Sequence, residues 1–320
     1  MMEQSILKLF PEELKEIFAY SIGRQAMIQE IRLRADRPIY VMEGGKECFL
    51  DRQGYHTDDH RQAKILSRDE LMRIVSHICK YSMYAYEDEL RQGFLTVEGG
   101  HRVGIVGQAV LENGDEIRTL KQISALNIRV SHQIIGAADS VLPHIYQAGR
   151  LQNTIIISPP GCGKTTLLRD MIRQVSDGNR FGRGISVGIV DERSEIAGTF
   201  RGCPQNDVGI RTDVLDSCPK AKGMMMLIRA MAPGAVAIDE LGEVSEWKSL
   251  LYASYCGTSL LATMHGEDLG DYLQRRDICL PGQRDMFQRC IVLRRFLGKC
   301  DIERIYYGQK GGEWICMLQR

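Results

Sequence analysis

One stretch of the sequence, TIIISPPGCGKTT at residues 154–166, restricts the fold more than any other. An apolar run is followed by a loop and then by Gly-Lys-Thr, the order found where a phosphate-binding loop joins a strand to a helix. The usual pattern is G-x-x-x-x-G-K-[ST], and here Ser158 stands at the first glycine position. Since Ser158 is small and Gly161 and Gly163 are kept, we expect the loop to bind a nucleotide.

Each residue type in this loop has a chemical purpose. Gly161 and Gly163 let backbone N–H groups face the phosphates, Lys164 reaches the β and γ oxygens, and Thr165 offers a hydroxyl to Mg²⁺. Cys162 lies beside Lys164 and a helix start, which lower a thiol pKa, so we expect ready alkylation and protection by ATP. The predicted nucleotide-binding set here is Ser158, Pro159, Pro160, Gly161, Cys162, Gly163, Lys164, Thr165 and Thr166.

A second apolar run, AVAIDE, ends in two acids. Asp239 is placed to hold Mg²⁺ together with Thr165, and Glu240 is placed to polarise the attacking water. The alternative is a strand that ends in two solvated acids. A glutamate beside a metal-binding aspartate favours hydrolysis over simple switching, so the sequence predicts an ATP hydrolase in which Lys164 and Glu240 are catalytic.

Two further segments have two interpretations each. GIVDERSEIAG puts Asp191, Glu192 and Glu195 just beyond another strand, near the edge where a parallel sheet presents nucleotide, and it is equally typical of a charged loop capped by Arg193. His265 follows the strand SLLATM, where it is placed either to sense the γ-phosphate or to serve a structural purpose.

Composition limits the class of protein. The 320 residues include 41 basic and 41 acidic side chains, a balance that argues against a nucleic-acid-coating protein. No run approaches 18 apolar residues and no secretory leader is visible, so we expect a cytoplasmic protein. The 10 cysteines contain no C-x-x-C pair, which speaks against a zinc ribbon and a disulfide framework.

The pattern along the chain predicts two domains of class α/β. Residues 1–136 read as a mixed α/β domain, and residues 137–320 alternate strands and helices, as in a largely parallel sheet. Within the first domain, Ser67 and Glu70 form a capping-box signature that opens one long helix over residues 67–93. Residues 136–149 are predicted to form a helix that contains a proline.

The second half resembles the secretion ATPases of type II and type IV systems, chiefly in LIRAMAPGAVAIDELGE and LLYASYCGTSLLATMHGED. The resemblance implies a RecA-like P-loop nucleotide-binding domain behind a smaller mixed α/β N-terminal domain at the PAS-like position. It also implies that His265 belongs to a histidine box and that the acids after residue 190 belong to an acidic box. The chain departs from that family where Leu241 and Gly242 replace Ile-Arg, where Thr258 replaces a histidine, and where the tetracysteine metal module is absent.

A closer resemblance covers nearly the whole chain. EIRLRADRPIYV, GFLTVEGGHRVGIVGQAV, ISALNIRVSHQIIGAAD, SPPGCGKTTLLRD, IVDERSEIAG and AIDELG together are similar to the stage III sporulation protein AA family of endospore-forming bacteria. This similarity implies a cytoplasmic mother-cell ATPase using ATP and Mg²⁺, which powers or assembles a channel complex between mother cell and forespore. Its implied partners are membrane proteins of the same stage III complex, which would hold it peripherally at the membrane.

Secretion ATPases also suggest an assembly. In that superfamily, arginines of the N-terminal domain reach nucleotide in a hexameric ring, and Arg102 in GHRVGI and Arg129 in LNIRVS lie on segments that resemble those strands. The resemblance thus implies a homo-oligomer, a hexamer, with both arginines catalytic in trans. The alternative for each is a solvated arginine on a strand face.

Two rival functions remain open at this point. A nucleotide-gated assembly scaffold would bind ATP with little turnover, and Glu240 argues against it. A nucleic-acid motor is the second rival, since RecA-like domains are found in such motors. The neutral composition and the lack of a basic segment studded with aromatic residues lower that option, and no nucleic-acid partner is expected.

Overall fold

The computed structural model describes residues 2–24, 28–82, 86–112, 116–283, 285–296, 299–309 and 312–319. The chain forms two compact units, Met1–His132 with Gly198–Gln205, and Gln133–Ala197 with Asn206–Arg320. The segment Gly198–Gln205 lies inside the predicted range of the second domain, yet it packs with the first unit. There the side-chain oxygen of Gln205 accepts a hydrogen bond from the Gly99 N–H at 2.9 Å.

The first unit is a mixed α/β unit, as the sequence predicts. Its elements are α1 (Met2–Leu7), α2 (Glu12–Arg24), β1 (Ile28–Arg34), β2 (Arg37–Pro38), β3 (Tyr40–Glu43), β4 (Lys46–Leu50), β5 (His56–Thr57), β6 (Ile65–Leu66), α3 (Arg68–Ile78), α4 (Glu87–Gln92), β7 (Phe94–Val97), β8 (His101–Glu112) and β9 (Glu116–Arg129). The main sheet is antiparallel in the order β5-β4-β3-β1-β9-β8-β7.

One hydrophobic core joins this sheet to α2 and α3. Phe18 of α2 and Ile74 of α3 are fully buried against the sheet residues Ile31 and Val103. These apolar positions repeat at helical spacing in the helices and at every second residue in the strands, so each element turns one face inward. Arg102 of β8 and Arg129 of β9 lie on the opposite face of the sheet, because each is next to a fully buried residue, Val103 and Ile128, along its strand.

The long helix predicted over residues 67–93 is shorter in the structure. Its start is confirmed, because Ser67 and Glu70 form the capping box. The helix α3 nevertheless ends at Ile78, and Lys80 and Tyr81 have φ values of +48° and +61°. A right-handed helix cannot pass through such residues, so the second half of the predicted helix is the separate short helix α4.

The second unit alternates strands and helices. Its elements are α5 (Leu142–Ile145), β10 (Tyr146–Gln147), β11 (Arg150–Leu151), β12 (Thr154–Ser158), α6 (Lys164–Asp177), β13 (Gly178–Asn179), β14 (Gly182–Arg183), β15 (Val187–Asp191), β16 (Thr212–Asp216), α7 (Lys220–Met231), β17 (Ala235–Ile238), α8 (Val244–Tyr255), β18 (Ser259–His265), α9 (Leu269–Cys279), β19 (Arg289–Phe296), β20 (Lys299–Gly308) and β21 (Trp314–Gln319). The predicted helix over 136–149 is reduced to α5, which has Pro143 in its first turn.

The large sheet runs in the order β16-β15-β17-β18-β12-β19-β20-β21. The strands from β16 to β19 are parallel, and β20 and β21 extend the sheet antiparallel. Ile156 faces a core that includes α6, whereas Ile155 and Ile157 face a core that includes Trp247 of α8 and Tyr272 of α9. Helices therefore cover both faces, which is why the parallel strands are almost wholly apolar.

The α/β fold class predicted from the sequence is confirmed for this unit. Carboxyl ends of β12, β15, β17 and β18 meet at one edge of the sheet, and the loops after them carry the candidate site residues. Such an edge is where open α/β sheets bind ligands. Over the part of the chain that the structure describes, we find no helix with the length and apolar character needed to cross a bilayer.

Candidate functional site

The phosphate-binding loop lies between β12 and α6, as the sequence predicts. Gly161 and Gly163 have φ values of +69° and +78°, which favour glycine, and Gly163 is the residue that caps α6 at its N-terminus. The first N–H groups of a helix have no partner within it, so the start of this 14-residue helix is suited to an anion. The local backbone thus fits a phosphate.

Ser158, the departure from the usual loop pattern, is the last residue of β12. It is fully buried, its hydroxyl donates to the Pro159 carbonyl at 2.9 Å, and it lies opposite His265 of β18 in the sheet. Its φ is not positive, so no glycine is needed at this point. The side chain is small enough to fit at this strand end, which is fully buried.

Lys164 turns back over the loop toward β18. Its Nζ donates to Nδ1 of His265 at 3.1 Å, and the residue is only 5% exposed. Burial lowers the pKa of the Lys164 ammonium, while the charges of Asp239 and Glu240 act in the opposite direction. A partly desolvated ammonium is screened less by water, so it attracts an anionic ligand more strongly than a solvated ammonium does.

Oxygen atoms suited to Mg²⁺ are brought together beside the loop. The Thr165 hydroxyl donates to Oδ2 of Asp239 at 2.5 Å, and the Thr263 hydroxyl donates to the other carboxylate oxygen. Hydroxyl and carboxylate oxygens are the ligands that Mg²⁺ prefers. Thr165 and Asp239, the two predicted metal ligands, therefore fit that ion by type and by contact.

Glu240 adopts an unusual backbone conformation, with φ at +55°. Its N–H donates to the Thr263 hydroxyl at 2.8 Å, and its carbonyl accepts from Lys220 Nζ at 2.9 Å. Its carboxylate lies 2.9 Å from Nε2 of His265 and 3.4 Å from Nη1 of Arg193. Non-glycine residues in this region cost about 1–3 kcal/mol and persist only where neighbours hold them. Hydrogen bonds at both its N–H and its carbonyl hold the backbone of Glu240.

Lys220 is a site residue that the sequence did not reveal. It is 12% exposed at the side chain, and its ammonium lies 3.3 Å from Glu192 and 3.3 Å from Glu246, besides the Glu240 carbonyl. Glu246 is itself buried and accepts N–H bonds from residues 242 and 243. Lys220 thus links the loop after β15 to the loop after β17. A lysine at the start of a predicted helix gives no sequence signal for such a contact.

The acidic residues after β15 lie at the same edge of the sheet but make different contacts. Buried Asp191 accepts backbone N–H bonds from residues 195, 196 and 197, so it shapes its own turn. Burial raises the pKa of Asp191 to about 6, although those three bonds oppose the shift.

A small cavity lies at this edge of the sheet. Its volume is about 20 Å³, room for about one water molecule, and it is lined by Val190, Asp191, Glu192, Arg193, Glu195, Lys220, Asp239 and Glu240.

The lowered thiol pKa that the sequence predicts for Cys162 is wrong. The residue is 4% exposed. Burial raises the pKa of its thiol most, and the neighbouring Cys300 raises it further, while the charges of Arg295 and Lys164 lower it only in part. Residues of β19 and β20 cover the loop that holds Cys162. Arg295 donates to the Gly161 carbonyl at 2.9 Å, and the Cys300 thiol lies 3.5 Å from the same oxygen. The burial of Cys162 under these two strands, which are distant in sequence, has a larger effect on its thiol pKa than the nearby lysine and helix start have.

Arg102 and Arg129 lie in the first unit, directly opposite each other on β8 and β9. Arg129 pairs with Glu30 at 3.3 Å, and Arg102 stacks over the Phe94 ring at 3.6 Å from its centroid. Like charges on opposite residues of a strand pair disfavour the sheet unless an anion is near. Glu30 supplies one anion, and the action of both arginines on nucleotide stays a prediction.

Comparison with known proteins agrees with this geometry. The family Sporulation stage III, protein AA, matches residues 1–313. The Stage III sporulation protein AA of Bacillus subtilis (strain 168) is 39% identical over 302 residues, which are 94% of each chain.

Two solved structures show the fold. The pilus retraction motor PilT with bound ADP has a TM-score of 0.64 at 15% identity, covering 92% of this chain and 83% of its own. The Legionella pneumophila ATPase DotB has a TM-score of 0.55 at 14% identity, covering 91% of this chain and 75% of its own. The predicted RecA-like P-loop domain with an N-terminal domain is thus confirmed as a fold. Because the family match spans almost the whole sequence, the chain belongs to the stage III sporulation protein AA family.

Proposed function

We propose that this protein hydrolyses Mg·ATP to energise or assemble a membrane channel complex, similar to a secretion system, between mother cell and forespore. One observation carries the proposal. His265 joins the loop lysine to Glu240 in a continuous chain of contacts, with 3.1 Å on one side and 2.9 Å on the other. A phosphate-binding group and a candidate general base are thereby connected through one side chain.

The residues have separate tasks in this proposal. Lys164 and the first N–H groups of α6 bind the β and γ phosphates, and Glu240 takes a proton from the attacking water. Thr165 and Asp239 hold Mg²⁺, which when bound neutralises charge on the phosphates. The strained backbone of Glu240 keeps its carboxylate beside the cavity of about 20 Å³.

His265 has the sensing task. A γ-phosphate that draws the Lys164 ammonium toward itself would lengthen the contact to Nδ1 of His265, and Nε2 would transmit the change to Glu240. Loss of the γ-phosphate would restore the contact. The acidic box of Asp191, Glu192 and Glu195 would carry this change outward, because its turn shares Lys220 with Glu240.

We further propose that the working form is a homo-oligomer, a hexamer. Arg102 and Arg129 occupy one rung of the first unit's sheet, and their paired positive charge suits the phosphates of a nucleotide held by a neighbouring subunit. The proposed partners are membrane proteins of the stage III complex, and the proposed location is the mother-cell cytoplasm, peripheral at the membrane. The relatedness to the Bacillus subtilis protein supports this setting.

The test is ATP turnover per chain against protein concentration, for the wild type and Glu240→Gln. We expect turnover per chain to rise with concentration, and the variant to bind ATP while losing about 10²-fold or more of the rate. Mixing Lys164→Ala with the double variant Arg102→Ala, Arg129→Ala should then restore activity, because each lacks what the other supplies.

The other outcomes discriminate between rival functions. ATP binding without phosphate release at every concentration, also after the membrane partners are added, would favour the nucleotide-gated scaffold. Turnover stimulated severalfold by single- or double-stranded DNA would favour the nucleic-acid motor. Failure of the mixed variants to restore activity would exclude arginines acting in trans, while leaving hydrolysis itself standing.

A further inference from the structure

A second set of chemically active side chains lies in the first unit, on the strands β3, β4 and β5. The strand pairs place Val41 opposite Cys48, and Leu50 opposite His56. Since side chains alternate along a strand and opposite residues share a face, Glu43, Cys48 and His56 lie on the same face as the fully buried Val41 and Leu50. A carboxylate, a thiol and an imidazole therefore meet at the inner side of this sheet edge.

The turn between β3 and β4 makes this meeting possible. Gly44 and Gly45 have φ values of +56° and +82°, the conformation of a two-residue hairpin turn that favours glycine. The tight turn puts Glu43 opposite Lys46, so Glu43 and Cys48 are diagonal neighbours across the two strands. Diagonal neighbours are within reach of each other when one side chain is long.

The distances are those of ligands to a common ion. The candidate ligand atoms of Glu43, Cys48 and His56 all lie within 4.8 Å of one another. Nδ1 of His56 is 3.5 Å from Oε2 of Glu43, longer than a usual N–H···O hydrogen bond of about 2.7–3.2 Å. Two ligands of one tetrahedral zinc, with bonds of about 2.0–2.3 Å, lie about 3.3–3.8 Å apart.

A second contact sets the ring of His56. Its Nε2 lies 2.7 Å from the hydroxyl of Ser21, a residue of α2 that is only 2% exposed. Histidines that bind metals usually give their other ring N–H to such an oxygen, which fixes the tautomer and the ring orientation. With Nε2 engaged by Ser21, the lone pair of Nδ1 points to the side where Glu43 and Cys48 lie.

Electrostatics at this edge favour a cation. The carboxylates of Glu43 and Asp58 are the acidic groups near the Cys48 thiol, and Lys46 is a nearby cation that offsets them in part. A divalent cation bound here would be coordinated by the sulfur as a thiolate. The donor set is one sulfur, one nitrogen and one oxygen, which suits zinc better than magnesium or calcium.

We propose that Glu43, Cys48 and His56 bind one zinc ion, with the fourth position open to solvent, and that the ion ties β3, β4 and β5 together. The side chains of His56 and Glu43 are 24% and 20% exposed, so the site is covered yet reachable from solvent. All three ligands come from the first unit, and none of them is among the proposed nucleotide-site residues.

The test uses the full chain, stripped with a chelator and kept in excess Mg²⁺ and ADP, which occupies the proposed nucleotide site without being hydrolysed. Zn²⁺ titrated by calorimetry should bind at one ion per chain, and Co²⁺ in its place should give a thiolate charge-transfer band. Cys48→Ser and His56→Gln should each abolish both signals. Ser21→Ala should weaken binding by about 10–100-fold.

The controls are Cys203→Ser and His60→Gln, which change an exposed cysteine and a nearby histidine outside the set. Both should bind like the wild type. Should Cys48→Ser fail to fold, protection of Cys48 from iodoacetamide by Zn²⁺ in the wild type replaces it. Stoichiometric zinc that survives His56→Gln, or a cobalt complex without a thiolate band, would overturn the proposal.

Discussion

The imidazole of His265 donates from Nε2 to the carboxylate of Glu240, at 2.9 Å. The direction is set by the contact at the other ring nitrogen. The Lys164 ammonium lies 3.1 Å from Nδ1, and an ammonium can only donate hydrogen bonds. Nδ1 is therefore the acceptor, and the proton sits on Nε2. The lysine of the phosphate loop therefore sets the tautomer of this ring.

Replacing His265 should separate nucleotide binding from turnover. In His265→Ala, Glu240 loses the donor that orients its carboxylate, so we expect ATP turnover to fall by about 10²-fold, the lower end of a general-base contribution. ATP affinity should change by no more than a few fold, because Lys164 and the loop backbone remain. Steady-state phosphate release and equilibrium binding of a fluorescent ATP analogue measure the two quantities, with His60→Ala as control. An equal loss in both would contradict a positioning role.

Removing Lys220 should lower both stability and activity. Lys220→Met leaves buried Glu246 without its counter-charge, and breaking a buried ion pair costs about 3–5 kcal/mol. It also frees the Glu240 carbonyl, so turnover should fall. Urea unfolding and phosphate release are the measurements, and Lys222→Met, an exposed lysine on the same helix, is the matched control. Unfolding curves that coincide for the two variants would show that the Lys220 contacts contribute nothing.

Buried His101 should make the first unit sensitive to acid. Its Nδ1 accepts from the Ser131 N–H at 3.1 Å and its Nε2 lies 2.8 Å from the Ser5 hydroxyl. Burial lowers the pKa of His101 from 6.5 to about 4, with His132 adding to the shift. The folded state thus resists protonation, so the stability that His101 contributes is complete above pH 6.5 and is lost as the pH falls toward 4.

The loss should amount to about 3 kcal/mol over that interval, at about 1.4 kcal/mol per pH unit. Urea unfolding between pH 7 and pH 4.5 should show it in the wild type. His101→Asn keeps an acceptor for Ser131 and removes the titrating group, so its free energy of unfolding should fall less steeply. Parallel slopes for the two proteins would assign the acid sensitivity to other groups.

Cys162 should react slowly with iodoacetamide, against the expectation from sequence. Its thiol is buried, burial raises its pKa, and β19 and β20 cover it. Cys203 and Cys256 are exposed and should be labelled first. Mass spectrometry of peptides after timed labelling at pH 8 measures the rates. Labelling of Cys162 ahead of both exposed cysteines would show that the loop opens in solution.

The parts of the fold that depend on local pattern were open to prediction. The strand before the phosphate loop, the helix at Lys164 and the strand that ends in Asp239 each follow from apolar runs and from turn chemistry within a few residues. The capping box at Ser67 is local in the same way. The end of α3 was missed because two residues with positive φ interrupt a pattern that otherwise continues to read as helix.

The missed parts of the candidate site all depend on contacts between distant segments. Lys220 contacts both Glu192 after β15 and Glu240 after β17 because these two strands are neighbours in the sheet. Arg295 and Cys300 reach the phosphate loop only because β19 lies next to β12. Residues 198–205 belong to the first unit, although the segments before and after them in the sequence belong to the second. Strand order decides each of these contacts, and a single sequence carries little information about it.

The place of β12 between β18 and β19 has a consequence for synthesis of the chain. A ribosome releases β12 and the phosphate loop well before β19 and β20, which supply the second sheet neighbour and the bond from Arg295 to the Gly161 carbonyl. Until those last strands emerge, β12 is an open edge strand, able to pair with the wrong segment. We therefore expect the candidate nucleotide site to be among the last parts of a newborn chain to form, long after its own residues have been made.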